Sequence, residues 1–437
     1  MQINFGRLVA NLTRLYGERE ALVHVERQRR YTFRSLHALG NRIANMLSCR
    51  LGLGRGDRYL LILENDNLSL MHQWTSFKAE AAAAFAHHGA PISEHAWQID
   101  LIEPRVVFLE GALLEQYYPM LHQFGITVVS MDPLPAPLAG AHYFWNLLDG
   151  VPDTLPEVEH DAGADIVLYR FTGSGAADGK CAPYTLDNWL GCRDTLLAHD
   201  ETVFTPDCRF LHATPLSQGS GSALLAPFFR GGCTVTQNAS DPERFCHSVA
   251  AERITATLLP PAMLYRLLEL APEPGPCKRL ATLGTVIYGG ALFAVDRLAA
   301  LVERFGPIFV QVYGGAEQVA PAAMLGKAEH DTKGSLLASA GRVAPGGEVM
   351  VADEDGNEQP PGALGELWLR SRGTIRGYYR NPEASAAAFC DGFWKSGDLG
   401  YMDGQGYLYI VDRKRDMKDL PVPPLAEWGR GRGFSLR

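Results

Sequence analysis

No apolar run in this chain approaches the roughly 20 residues that span a bilayer; the Ala-rich stretch Glu80–Phe85 is far too short. The first residues, Met1–Tyr16, lack the continuous apolar centre of a secretory signal and instead set apolar side chains at helical spacing. Eight cysteines (Cys49, Cys181, Cys192, Cys208, Cys233, Cys246, Cys277 and Cys390) are scattered without a Cys-x-x-Cys pair. That pattern sets aside a zinc ribbon or disulfide frame and suits reduced thiols in a cytoplasmic protein. Positive charge is also short: 40 Lys and Arg stand against 49 Asp and Glu, a net charge of -9. A nucleic-acid partner, which needs clustered cations to meet phosphates, is not expected. No Gly-Lys-Ser/Thr opens a helix, so the Walker phosphate site is absent, and no internal repeat is visible.

What is present is the texture of a folded α/β protein. Hydrophobic residues make up 46% of 437 and charged residues 20%, enough for several packed layers and for two or three subdomains. Thr32 reads as the N-cap of a helix over Phe33–Ser48. Tyr59–Leu63 reads as a buried strand, with further strands at Arg105–Leu109 and Ile126–Met131. After the loop-rich interval Asp132–Gly163, strands are expected at Arg209–Ala213, Thr255–Leu259 and Val286–Tyr288. A helix over Ala291–Phe305 should carry Leu292, Val295, Leu298, Val302 and Phe305 on one face and stop at Gly306. Beyond about Gly341 short strands and turns take over. The fold class expected is α/β, with two layered α/β subdomains (residues 1–160 and 161–340) and a small β-rich one (341–412). Residues 413–437 form a hinge remnant and an atypical tail.

Five segments carry chemistry-bearing residues. Asp165–Lys180 runs from an apolar strand into a small-residue loop ending at a lysine; such a loop lets backbone N–H groups approach phosphate oxygens, though a plain turn needs no more. Pro215–Gly221 is a Gly/Ser-rich stretch before the apolar Leu224–Phe229, and a simple turn explains it equally well. Gly289-Gly290-Ala291 sits between a strand and the expected helix, where a helix N-terminus favours an anion. Val312–Glu317, Val-Tyr-Gly-Gly-Ala-Glu, ends on a carboxylate suited to a hard cation. Gly392–Tyr401 followed by Gly406–Asp416 is the longest pattern and includes Asp398, whose two acceptor oxygens could serve two hydroxyl donors.

Taken in order, these segments resemble the adenylate-forming superfamily of acyl-CoA synthetases, adenylation domains and luciferases. Phe171–Cys181 aligns without a gap to that family's Tyr/Phe-Thr-Ser-Gly-Thr-Thr-Gly-x-Pro-Lys-Gly. The resemblance implies phosphate contacts from Thr172, Gly173, Ser174 and Lys180. It places Gln218 where relatives have a catalytic histidine, and Ser217 where they have an aromatic residue. It sets Gly289, Gly290 and Ala291 beside adenine and the acyl pocket, Tyr313 on the adenine, and Gly314 and Gly315 as backbone clearance. Glu317 becomes the magnesium carboxylate, and Asp398 and Arg413 the ribose contacts. Ser339–Glu348 and Pro360–Glu366 fit the family as scaffold. The departures are chemical. Gly175, Ala176 and Ala316 stand where relatives carry threonine, each removing a hydroxyl worth about 1.5–3 kcal/mol to a charged group, and Asp178 adds negative charge beside the phosphates.

The resemblance implies ATP, Mg2+ and coenzyme A, and the activation of a small carboxylic acid, in the first instance a fatty acid, to an acyl-adenylate. In relatives a further domain of roughly 100 residues, the size of a small independent unit, supplies a lysine and admits coenzyme A. Met417–Arg437, with its prolines and Gly/Arg end, does not read as that domain. It reads as a tail that docks on a partner or as a premature end of the coding sequence, and thioester formation is not expected of this chain alone. The alternative expectation is an impaired nucleotide-binding pseudoenzyme or a non-catalytic interaction remnant. The sequence sets neither the acid nor an oligomeric state.

Overall fold

The computed structural model describes residues 1–173, 179–199, 201–202, 204–238, 240–270, 278–332 and 334–414. Ser174, Gly175, Ala176, Ala177, Asp178 and the tail from 415 onward therefore lie outside the described residues.

Two sheets organise the chain, as the mixed α/β expectation requires. The first runs, in spatial order, Lys180–Thr185, Ile166–Thr172, Ala82–Phe85, Arg58–Ile62, Val106–Leu109, Thr127–Ser130 and Ala141–Tyr143. All of its neighbours are parallel except the Ile166–Thr172/Lys180–Thr185 hairpin at its edge. Its strands read as nearly unbroken apolar runs because helices cover both faces. The second, larger sheet has a parallel centre built from Phe309–Gly315, Thr285–Gly289, Ala256–Leu259, Arg209–His212, Cys233–Thr236 and Glu20–His24. An antiparallel wing extends it through Gln318–Leu325, Gly341–Val343, Tyr407–Arg413, Phe393–Met402, Gly365–Ser371 and Gly347–Ala352.

The sheets exchange hairpins. Glu20–Thr32, early in the chain, completes the larger sheet, while Ile166–Thr185 completes the first. Their facing sides share one core that includes Phe33, Trp74, Phe77, Trp189, Phe210 and Phe228. Asn65 ties the sheets at their strand ends. Its Nδ2 donates to the carbonyls of Gln237 (2.8 Å), Thr214 (3.0 Å) and His212 (3.4 Å), and its Oδ1 accepts from Leu216 N–H (2.8 Å).

The helix expected at Phe33 spans Phe33–Cys49 and opens on a capping box: Thr32 Oγ1 accepts from Ser35 N–H, and Ser35 Oγ accepts from Thr32 N–H. The later helix differs from expectation. It covers Val295–Phe305, beginning four residues after Ala291, and buries Leu298 and Leu301 while Leu292 and Val295 remain exposed. Gly290 turns the chain at φ +85°, and Phe293 is fixed edge-on against Tyr265 and Tyr288. Ala294 N–H donates to Tyr265 Oη, which holds this stretch as a turn. Gly306 ends the helix at φ +82°, as expected. Among the described residues no helix is long and apolar enough to cross a membrane.

Candidate active site

Ligands of parallel α/β sheets sit beyond the carboxyl ends of the strands, and Thr172, Gly289, Tyr313, Gly314 and Gly315 lie at such ends. The small-residue loop is the tip of a β-hairpin: Thr172 is the cross-strand partner of Lys180, so pairing alone sets the hydroxyl and the ammonium at the two feet of the loop. Gly173 takes φ +80°, a conformation that glycine adopts without strain. Ser174 lies outside the described residues.

The strand Phe309–Gly315 carries Tyr313, Gly314 and Gly315 to its end, and the chain then turns through Ala316 and Glu317 into Gln318–Leu325. Two contacts fix that turn: Tyr184 Oη donates to the Ala316 carbonyl, and Ile375 N–H donates to the Glu317 carbonyl at 2.9 Å. The Glu317 carboxylate accepts from Tyr378 Oη at 2.7 Å. Burial first, and then Glu317, raises the Tyr378 phenol, so it stays a donor. Lys180 Nζ stands 4.9 Å from the centre of the Tyr378 ring, a cation–π distance. Lys180 and Glu317 thus face a common tyrosine. Gly315 must be glycine, since a Cβ there would run into the Trp394 indole.

On the other side of Tyr313 the pairing of Phe393–Met402 with Tyr407–Arg413 makes Asp398 and Arg413 direct cross-strand neighbours. Tyr313 Oη donates to Asp398 Oδ2 at 2.8 Å, and Arg413 Nε stands 3.4 Å from Asp398 Oδ1. The Asp398 side chain is 13% exposed and Tyr313 9%. Burial and the facing Asp398 hold the Tyr313 phenol well above its ordinary range, keeping it protonated. The segment Tyr313–Glu317 therefore joins the cluster of Tyr313, Asp398 and Arg413 to that of Glu317, Tyr378 and Lys180.

The remaining candidates stand apart from these two clusters. Ser217 is buried, whereas Gln218 and Gly219 are exposed just before a 3-10 turn, Gly219–Ala223. Gly289 pairs with Val312, one residue from Tyr313, and a Cβ at Gly289 would collide with the Val312 carbonyl. Gly290 and Ala291 are exposed. Because the helix starts only at Val295, no helix N-terminus reaches this junction, and the anion argument from helix polarity does not apply here.

A cleft of about 800 Å³ opens beside the cluster of Lys180, Glu317 and Tyr378, lined by these three and by Trp394, Ser396 and Lys414 among others. Tyr378, Trp394 and Lys414 were not singled out by sequence reasoning; the Arg-Gly-Tyr-Tyr-Arg run at 376–380 was the available signal. Glu366, expected only as scaffold, reaches the rim, where it pairs with Lys414 (3.2 Å) and accepts from Gly397 N–H (3.2 Å). Five carboxylates line this cleft against three lysines among the described residues. A bare triphosphate would meet net negative charge there. Among the described residues no group of three or more His, Cys, Asp or Glu forms a metal cage. Glu317 alone fits magnesium, which takes one or two carboxylates and completes its octahedron from phosphates and water.

Comparisons with known proteins bear on the family and the fold. A family profile described as AMP-binding enzyme matches residues 10–379. The chain is 31% identical over 335 residues to the medium/long-chain-fatty-acid–CoA ligase FadD8 of Mycobacterium tuberculosis, covering 70% of this chain and 57% of that protein. To the indoleacetate–CoA ligase of Aromatoleum aromaticum it is 29% identical, covering 74% of this chain and 62% of the relative. The chain thus spans about three-fifths of the length of these two relatives. The amide bond synthetase McbA of Marinactinospora thermotolerans superposes with a TM-score of 0.80 at 25% identity, over 94% of this chain and 79% of that one. ATP-bound MatB of Rhodopseudomonas palustris shares the fold with a TM-score of 0.81 at 23% identity, over 95% of this chain and 80% of that one. The chain belongs to the AMP-binding enzyme family, whose similar members here are acyl- and aryl-CoA ligases.

Proposed function

We propose that this chain activates a carboxylic acid, in the first instance a fatty acid, with ATP. A carboxylate oxygen attacks the α-phosphorus, the bond to the β-phosphate bridging oxygen breaks, and acyl-adenylate and pyrophosphate form. The observation that carries this reading is the joining of Asp398, Tyr313 and Arg413 to Glu317, Tyr378 and Lys180 through the single segment Tyr313–Glu317.

In this reading Asp398 accepts from the ribose hydroxyls and Arg413 reaches the ribose. Tyr313 packs on the adenine while its phenol steadies Asp398. Gly289, Gly314 and Gly315 keep side chains out of the nucleotide's path. Lys180, Thr172 and Gly173 hold the phosphates from the feet of the hairpin. Glu317 would hold Mg2+, which when bound neutralises phosphate oxygens. Gln218 can donate a neutral hydrogen bond to the acid but carries no charge. Coenzyme A enters as the acceptor of the acyl group in the family's second half-reaction, and no residue of this chain is assigned to it. A cytoplasmic setting goes with this reading, supported by the seven free cysteines among the described residues.

The test is ATP–pyrophosphate exchange on the purified chain with short, long and aromatic acids. Exchange above background with one class supports the reading and identifies the acid. No exchange with any acid, from protein that still binds AMP, would replace it with a nucleotide-binding protein lacking turnover.

A further inference from the structure

The strand Ile166–Thr172 carries a charge that neither cluster uses. Tyr169 and Phe171 pack into the outer core with Cys181. Strand alternation turns Leu168 and Arg170 the other way, toward the core between the sheets. Arg170 is only 8% exposed. Among the described residues its one side-chain hydrogen bond runs from Nε–H to the Ser217 carbonyl at 3.3 Å. Among the described residues no carboxylate lies within ion-pair distance of it. A buried charge without a partner costs several kcal/mol, so its retention calls for a use.

The surroundings point to that use. Ser217 is the third residue of Pro215–Gly221, the segment that resembles the family's acid-side motif. His72, fully buried, sets Nε2 3.4 Å from the neighbouring Leu216 carbonyl, and its sealed Nδ1 has no partner among the described residues. Its ring packs 4.5 Å from Phe85, the residue beside Arg170 in the sheet. His212, also fully buried, meets Ser220 Oγ with Nδ1 at 2.8 Å, and Gln73 donates to the Gly221 carbonyl. Among the described residues His212 Nε2 and Gln73 Oε1 have no partner. Burial first pushes both histidines down to about 3, so neither adds positive charge at neutral pH. The exposed Gln218 adds none either. Arg170 is left as the fixed cation beside Ser217, and its planar fork matches a carboxylate in two parallel hydrogen bonds.

We propose that Arg170, with Ser217 and His72 at its side, binds a carboxylate of the acid substrate. This rests on the reading of the chain as an acid-activating enzyme. The carboxylate is either the reacting one or a second one on the same acid, and chain-matched probes separate the two.

The experiment compares the wild-type chain with R170M and R170K, using octanoate, benzoate and octanedioate as probes. Each is titrated calorimetrically in the presence of AMP, with AMP binding and unliganded melting measured alongside. R170M should weaken carboxylate binding by about 10- to 100-fold, the worth of a charge-assisted hydrogen bond. R170K should recover part of the loss. AMP affinity should hold, and melting should not fall, because the variant sheds a buried charge that has no ion pair among the described residues. Equal loss for octanoate and octanedioate assigns Arg170 to the reacting carboxylate; loss for octanedioate alone assigns it to a second one. Three results would overturn the inference: unchanged carboxylate affinity in R170M, loss of AMP binding together with the acid, or no carboxylate binding by the wild type. Arg170-dependent binding without pyrophosphate exchange would remove the enzymatic reading and leave this one. Exchange with an unchanged acid KM in R170M would do the reverse.

Discussion

Replacing Lys78 by Met should make the protein more stable, and most so in mild acid. Lys78 is 2% exposed, and among the described residues Nζ bonds only to His37, at 3.2 Å from its Nδ1 and 3.3 Å from its carbonyl. Among the described residues no carboxylate lies within ion-pair distance. Burial pushes the ammonium down from its ordinary 10.5 to about 7. His37 stays neutral above about pH 6, since burial and then Lys78 push it down to about 3. Between about pH 7 and 10.5 the unfolded chain therefore holds a proton at Lys78 that the folded chain lacks, and stability rises with pH across that window.

At about 1.4 kcal/mol per tenfold change in proton affinity, keeping Lys78 costs about 5 kcal/mol at pH 6 and about 2 kcal/mol at pH 9. Met fills a similar volume and gives up the two bonds to His37, worth roughly 1–2 kcal/mol together. K78M should therefore gain about 3 kcal/mol at pH 6 and almost nothing at pH 9. In scanning calorimetry the variant's Tm should exceed the wild type's by a few degrees at pH 6, with the curves closing by pH 9. Parallel curves, or a lower Tm for K78M at pH 6, would show that Lys78 carries no ionisation cost and that the argument is wrong.

Three other perturbations address the nucleotide site and the core. D398N should weaken AMP binding by about 10- to 100-fold, as expected when a charged acceptor is lost; calorimetric titration reads this, and unchanged affinity would remove Asp398 from the ribose. E317Q should lower pyrophosphate exchange by about 10²–10³-fold while AMP affinity stays within about twofold, so a matching loss of both would mean a damaged fold instead. Asp66 is fully buried and burial pushes it up to about 7, against the lowering effect of the Thr236 hydroxyl that donates to it at 2.7 Å. Its contribution is present in acid and fades as pH rises through 7, so D66N should raise Tm at pH 8 and change it little at pH 4.5; a uniform shift at both values would contradict this sign.

Asp398 and Arg413 were named from the sequence through the family resemblance of Gly392–Asp416, and the pairing of Phe393–Met402 with Tyr407–Arg413 makes them neighbours. The helix at Phe33 followed from its cap and its apolar spacing. Long-range pairing was not legible. Glu20–Thr32 joins Cys233–Thr236, and Tyr378 meets Glu317; neither contact leaves a periodic trace in sequence. The helix start at Ala291 failed for a related reason. Apolar spacing ran on through Leu292, yet Phe293 is held by Tyr265 and Tyr288, aromatic partners that spacing does not reveal.

Arg170 was not singled out from the sequence. Inside an apolar strand an arginine has three options: an edge, an ion pair or a ligand. The first does not hold, because the strand lies between Ala82–Phe85 and Lys180–Thr185 in the sheet. The second finds no acceptor among the described residues. A further signal lay in His72-Gln73-Trp74-Thr75-Ser76, where polar side chains interrupt an apolar stretch and yet are all buried. Buried polar groups are retained when something satisfies them, and here His72 and Gln73 still have unpartnered atoms. In the turn Pro215–Gly221, Gln218 stands where the family resemblance places a histidine, so this position carries no titratable group. In the proposed reading, Arg170 beside the Ser217 carbonyl would take the acid from within the strand, beneath the exposed Gln218 and Gly219.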